Sequence, residues 1–293
     1  MPTSQPPPRN EAGRLRAAGL FFLAALAVVG GVGVAIWRGA GPLPDPEGCS
    51  ATVAGRTVHL APDQGANATL IAAIGVRRGL PARAVSIALA TAYQESKIRN
   101  LDHGDRDSIG IFQQRPSQGW GTAAQIRNEH YTINRFYEEL EKIHGFEEMR
   151  ITDAAQKVQR SGYPEAYEEH APDARALASA LTGYSPGGRF SCVVRTPTGH
   201  GTARQVVASL EAAYGDLRTT RGARQDVQVQ VGEGTQGNRL GWSVAQFLVG
   251  HADRLELRSV SFDGKTWRAG RDSEKGWVRD AAAPEDAVVA RLG

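Results

Sequence analysis

The chain has 293 residues, with 34 Lys and Arg against 31 Asp and Glu, for a formal net charge of +3. This near balance, with no long basic block and no interleaving of basic and aromatic residues, argues against a nucleic-acid partner. A hydrophobic share of 41% is ordinary for a globular protein, and the length suits one large or two modest domains.

Residues 1–16, with Pro6, Pro7 and Pro8, read as a short disordered tail. Ala17 to Trp37 contains no charged residue and is long enough, at helical rise, to cross a bilayer. Arg9, Arg14 and Arg16 precede it, and Arg38, Asp45 and Glu47 follow. The positive-inside bias then predicts a single-pass cell-membrane protein with residues 1–16 in the cytoplasm and everything after the helix outside. A cleaved signal peptide is the alternative, but the apolar run exceeds a usual signal core and no clear Ala-x-Ala site follows. Residues 38–48, rich in Gly and Pro, read as a linker.

Residues 49–195 form the next expected domain. Thr57 to Leu60 is a short extended piece. Asn67 to Arg78 is helical and ends at Gly79. A second helix starts at Pro81 and carries Val85, Ala88, Leu89 and Ala92 at helical spacing. Asn100 to Ser108 is a polar loop. Tyr131 to Ile143 and Ala154 to Ser161 are helical, Pro164 and Pro172 each open a further short helix, and Gly183 stops the last. Thr196 to Gly199 marks a boundary. Residues 200–293 read as a small α+β module of unassigned role. Its elements are a helix at Val206–Tyr214, a strand through Val227, Val229 and Val231, a helix at Trp242–Ala252, a hairpin around Asp263-Gly264 and a strand at Val288-Val289. The expected fold class is α+β: a transmembrane helix, a mainly helical domain and this small α+β domain. Trp242, Trp267 and Trp277 either pack or bind a glycan or protein partner.

Only two cysteines occur, Cys49 and Cys192. Outside the cytoplasm such a pair is expected as a disulfide, and closing so long a loop would stabilise by about 4–5 kcal/mol. Two buried thiols are the alternative. The seven histidines are scattered singly and no Cys-x-x-Cys or His-x-x-x-His spacing occurs, so neither a metal nor a cofactor is expected.

The chemistry centres on Glu95. A step of three from Ala92 lands on it, so a helix that runs this far places it at the edge of the buried face. Burial disfavours the ionised form and raises the pKa. A carboxylic acid that keeps its proton near neutral pH is what cleavage of a glycosidic bond requires. The other reading is a helix-end Glu making a local hydrogen bond.

Gln94-Glu95-Ser96, a polar loop, and Ser108-Ile109-Gly110-Ile111-Phe112-Gln113-Gln114 together resemble the soluble lytic transglycosylase and goose-type lysozyme group of the lysozyme-like superfamily. The longer run from Ala90 to Ser96, through Gly104 to Ser108, to Gln113–Trp120 resembles a lysozyme-like family of membrane-anchored actinobacterial proteins. The resemblance covers roughly Cys49 to Cys192, and implies a lysozyme-like fold there. It implies that Glu95 protonates the oxygen between two sugars of a peptidoglycan glycan strand. Glu95 then takes a proton from the substrate's own primary hydroxyl, which attacks the anomeric carbon and leaves an anhydro sugar. One carboxylate is then enough, because the nucleophile belongs to the substrate. The alternative class is a non-catalytic, membrane-anchored module that binds peptidoglycan or a protein.

By the same resemblance Gln113 lines the sugar cleft, with Ser108 and Gln114 as weaker candidates, while Phe112 reads as core. The stretch Ala154 to Ser161 lies where the family carries Ala-Tyr-Asn. This chain has neither Tyr nor Asn there, so Gln156 or Gln159 is the candidate amide and Tyr163 or Tyr167 the candidate ring. Tyr93 and Trp120 either stack on sugar faces or pack. Asp102, Asp105 and Asp107 each either supply the second carboxylate of a hydrolase or belong to a solvated loop. An EF-hand is rejected, since Ile109 occupies a ligand position and Pro116 stands where Glu is required.

Overall fold

The structure is a computed structural model that describes residues 45–160, 165–222 and 226–293. It opens with β1 (Gly48–Val53), which pairs with β2 (Arg56–Leu60) on one side and with β3 (Phe190–Val193) on the other, both antiparallel. Cys49 stands opposite Cys192 in the β1–β3 register, and the two are joined by a disulfide across 143 residues of sequence. In the chain-entropy account such a crosslink stabilises by about 5 kcal/mol, by restricting the unfolded chain.

Between these strands the described residues form six α-helices: α1 (Pro62–Arg77), α2 (Ala82–Ser96), α3 (Ala123–Ile126), α4 (Glu129–Glu141), α5 (Ile151–Gln159) and α6 (Ala171–Leu181). Ala68, Ile71, Ala72, Ala73 and Ile74 of α1 are fully buried. A helix apolar all round belongs in the middle of a protein, and α1 packs against α2, α4, α6 and two helices flanking it, α7 (Ala203–Tyr214) and α8 (Gly234–Gly250). The Tyr137 hydroxyl, buried with its ring, donates to the Ile71 carbonyl at 2.9 Å and ties α4 to it.

The remaining strands are β4 (Arg218–Arg221), β5 (Val227–Gln230), β6 (Leu257–Phe262), β7 (Lys265–Arg268), β8 (Val278–Arg279) and β9 (Ala287–Leu292). They form an antiparallel sheet in the order β4-β5-β9-β6-β7-β8. The hairpin expected at Asp263-Gly264 is the β6–β7 turn, with positive φ at both residues, 49° and 67°. α8 lies on this sheet at close range. A β-carbon on Gly241 would fall 2.0 Å from the Phe262 ring, so glycine sets that approach.

Two parts of the expected architecture need correction. Among the described residues no helix is long and apolar enough to cross a membrane, and the segment 17–37, to which the crossing was assigned, lies outside them. Nor does a mainly helical domain stand beside a separate small one. Residues 46–293 form one compact α+β unit with a continuous core. The physical reason is a set of buried bonds across residues 196–199. The Gln246 carboxamide, fully buried on α8, accepts from the Phe190 N–H at 2.8 Å and donates to the Ala180 carbonyl at 2.7 Å. The Trp267 and Trp277 indoles donate to the Cys192 and Phe190 carbonyls at 3.0 and 2.9 Å. Trp242 and Trp267 are buried, and Trp277 is half-buried against Trp242.

His251 follows α8 and is buried beside α1. Its Nδ1 lies 2.9 Å from the Phe247 carbonyl and 3.4 Å from the Thr69 hydroxyl. Burial, then the Arg254 charge, push its pKa down from 6.5 to about 3. The unfolded chain therefore binds a proton that the fold refuses, and stability falls as the pH drops from 6.5 towards 3. His251→Asn, which can still donate to the Phe247 carbonyl, is expected to show a shallower loss of thermal stability over that window. Equal slopes for the two proteins would contradict the assignment.

Candidate active site

Glu95 lies in the last turn of α2, half-buried. The helix stops immediately after it. Lys97 and Ile98 both take left-handed backbone angles, with φ of 57° and 59°. Such a conformation at a buried β-branched residue costs on the order of 1–3 kcal/mol and persists only where neighbours enforce it. Two side chains of α1 do so: Gln64 donates to the Lys97 carbonyl at 2.6 Å and Asn67 to the Ile98 carbonyl at 2.8 Å.

Ser96 fixes the other side. Its buried hydroxyl donates to the Ile111 carbonyl at 2.7 Å, with the Ala92 carbonyl at 3.1 Å, and accepts from the Arg99 N–H at 3.1 Å. The Ile109–Gln114 turn is thereby bound to the end of α2. The next carbonyl, Phe112, accepts from the Gln159 amide at 2.7 Å, which brings in the end of α5. Gly110, at φ +81°, cannot be replaced cheaply, because a β-carbon there would meet the Ile126 carbonyl at 3.0 Å. Phe112 is core, stacked on Phe136 at 4.3 Å.

The Glu95 carboxyl sits where these pieces meet. The hydroxyl of the buried Tyr167 donates to its Oε1 at 2.7 Å, and the Gln159 amide also hydrogen-bonds it. Burial raises the Glu95 pKa from its ordinary 4.5, and this outweighs the two hydrogen bonds, which favour the ionised form. Arg160, following Gln159, is again left-handed at φ 53°. A cavity of about 530 Å³ is lined by Gln159 together with Trp120, Arg135, Glu139, Lys157 and Arg160.

The structure thus brings Glu95, Gln159 and Tyr167 together. The other candidates lie as follows. Gln113 has φ 48° and folds back over Gly104, its amide donating to the His103 and Gly110 carbonyls, both at 3.3 Å. Gln114 is buried and accepts from the Thr132 hydroxyl at 2.7 Å, tying the turn to α4. Ser108 is buried in the loop, with its N–H donating to the Asp105 carbonyl. Gln156 is half-buried on α5. Tyr93 is half-buried, with the His170 ring 4.7 Å away and the Lys97 ammonium 5.4 Å over its face. Tyr163 lies outside the described residues.

His170 carried no signal in the sequence, since 76 positions separate it from its hydrogen-bond partner Gln94, 2.9 Å away. None of the three loop aspartates hydrogen-bonds Glu95. Asp107 pairs with Arg115 at 2.7 Å and accepts from the Ser117 N–H, and these contacts hold its carboxyl far below the usual range. Asp102 pairs with His103, and Asp105 faces Arg106 at 3.9 Å. Among the described residues no group of three or more His, Cys, Asp and Glu is placed to hold a metal. The chain matches no protein-family model and no curated protein.

Two consequences can be measured. Ser96→Ala leaves the Ile111 carbonyl and Arg99 N–H without their partner and is expected to lower stability by about 1–3 kcal/mol. A loss within error in chemical denaturation would contradict that role. For Glu95 the sign follows from its raised pKa: any stability tied to the protonated acid is present below 4.5 and is lost as the pH rises through the folded-state value. Glu95→Gln cannot ionise and still accepts from Tyr167. It should therefore melt above the wild type in alkaline buffer and level with it below pH 4.5. A variant less stable at alkaline pH would place the carboxylate in a solvated, stabilising setting.

Proposed function

We propose that the protein cleaves the glycan strands of peptidoglycan by a lytic-transglycosylase-like reaction, with Glu95 as both acid and base. The observation that carries this reading is the state of the Glu95 carboxyl. Burial pushes its pKa up, the Tyr167 hydroxyl orients it, and it stands one side chain away from a cavity bearing an indole. Protonating the glycosidic oxygen lets the bond break, and the resulting carboxylate is met by two hydrogen-bond donors, Tyr167 and Gln159, which favour the ionised form. These donors do not have to move for the acid to become the base. The Cys49–Cys192 disulfide supports work outside the cytoplasm, where such a bond persists.

A second reading, a module that binds glycan or protein without turnover, is favoured by one observation. The Gln113 amide, expected to hold a sugar, is engaged by its own loop.

The full chain incubated with purified sacculi is expected to release fragments with anhydro ends, and Glu95→Gln should reduce their yield about a hundredfold or more. Reducing ends would assign water as the nucleophile. Sedimentation with sacculi but no release would favour the second reading.

A further inference from the structure

We propose that the cavity beside Gln159 takes a free carboxylate of the peptidoglycan, so that the protein prefers strands whose carboxyls are ionised over strands whose carboxyls are amidated. The inference rests on the Glu95 site described above, because Gln159 both lines the cavity and hydrogen-bonds Glu95. A ligand that fills the cavity is therefore one side chain from the proposed acid.

The charge on the wall is uneven. Arg135 and Glu139 of α4 pair at 3.3 Å, and Glu139 also accepts from Lys142 at 2.7 Å, so that side is compensated. Lys157 and Arg160, at the end of α5, also line the cavity. Among the described residues neither forms an ion pair. Cations at a helix C-terminus favour the helix by about 0.3–1 kcal/mol, which accounts for their presence in this turn. It does not account for two uncompensated charges bordering a cavity of about 530 Å³ that also presents Trp120. A guanidinium and an ammonium there suit a planar carboxylate, which the guanidinium can bind through two parallel hydrogen bonds. The indole gives a sugar ring an apolar face to pack on. A strand whose carboxyls are amidated would leave both charges unanswered.

The test compares native sacculi with sacculi whose carboxyls have been converted to amides, using the full chain as wild type and as the Lys157→Gln/Arg160→Gln double variant. Sedimentation and fragment release are read together. The wild type is expected to favour native over amidated sacculi by about tenfold, and the double variant to treat both alike at the lower level. A wild type indifferent to amidation, or a double variant that keeps the full preference, overturns the inference. Release that is indifferent to charge overturns it while leaving the Glu95 reading intact. Charge-dependent sedimentation without release supports the cavity and defeats the cleavage reading, and neither binding nor release defeats both. Should the double variant unfold, Lys157→Gln alone must narrow the preference, and an unchanged gap overturns the inference.

Discussion

Two adjacent carbonyls, Ile111 and Phe112, hold the ends of two helices on one turn. Ser96 closes α2 onto the first and Gln159 closes α5 onto the second. Without these bonds the end of α2 would fray into solvent, and Glu95 would be an ordinary surface acid. With them, the helix stops at Ser96, and the two residues after it, Lys97 and Ile98, take left-handed backbone. That conformation survives because Gln64 and Asn67, on the core helix α1, grip the two carbonyls it exposes. Arg160, next to Gln159, is also a non-glycine left-handed residue.

A desolvated acid at neutral pH lowers the stability of a fold, and nothing in the packing of α2 requires one at this position. A glutamine, which keeps an acceptor for the Tyr167 hydroxyl, would sit there with less penalty. The surrounding structure nevertheless presents donors to the charged form through Tyr167 and Gln159 while burial favours the neutral form. A carboxyl whose pKa is raised by burial, yet which meets donors that favour its ionised form, suits proton transfer in both directions. The Cys49–Cys192 crosslink and the continuous core through α8 supply the stability against which such a site is set.

Much of the local structure is legible in the sequence. The stripe Val85, Ala88, Leu89, Ala92 marks α2, Asp263-Gly264 marks a hairpin, and Gly183 marks the end of α6. β1 and β3 are not, because neither strand has a clear local signature and they meet across 143 residues. α8 begins eight residues before Trp242, its first turns hidden by Gly234, Gly237 and Gly241, which carry no apolar signal. The union of the two halves depends on Gln246 and on two indoles reaching main-chain carbonyls, contacts that leave no periodicity. The site divides in the same way. Glu95 is visible because it interrupts a stripe. That Gln159 rather than Gln113 reaches it, and that Tyr167 orients it, is decided by the tertiary meeting of α2, α5 and the segment before α6.

The claim beneath the rest is that the Glu95 carboxyl resists ionisation in the folded protein. Titration of its side-chain carboxyl by carbon-13 NMR, with the resonance assigned by its disappearance in Glu95→Gln, reads this directly. The account predicts a midpoint above 4.5. A midpoint at or below that value would mean a solvated or ion-paired carboxylate, and would remove the physical basis for acid catalysis at this position.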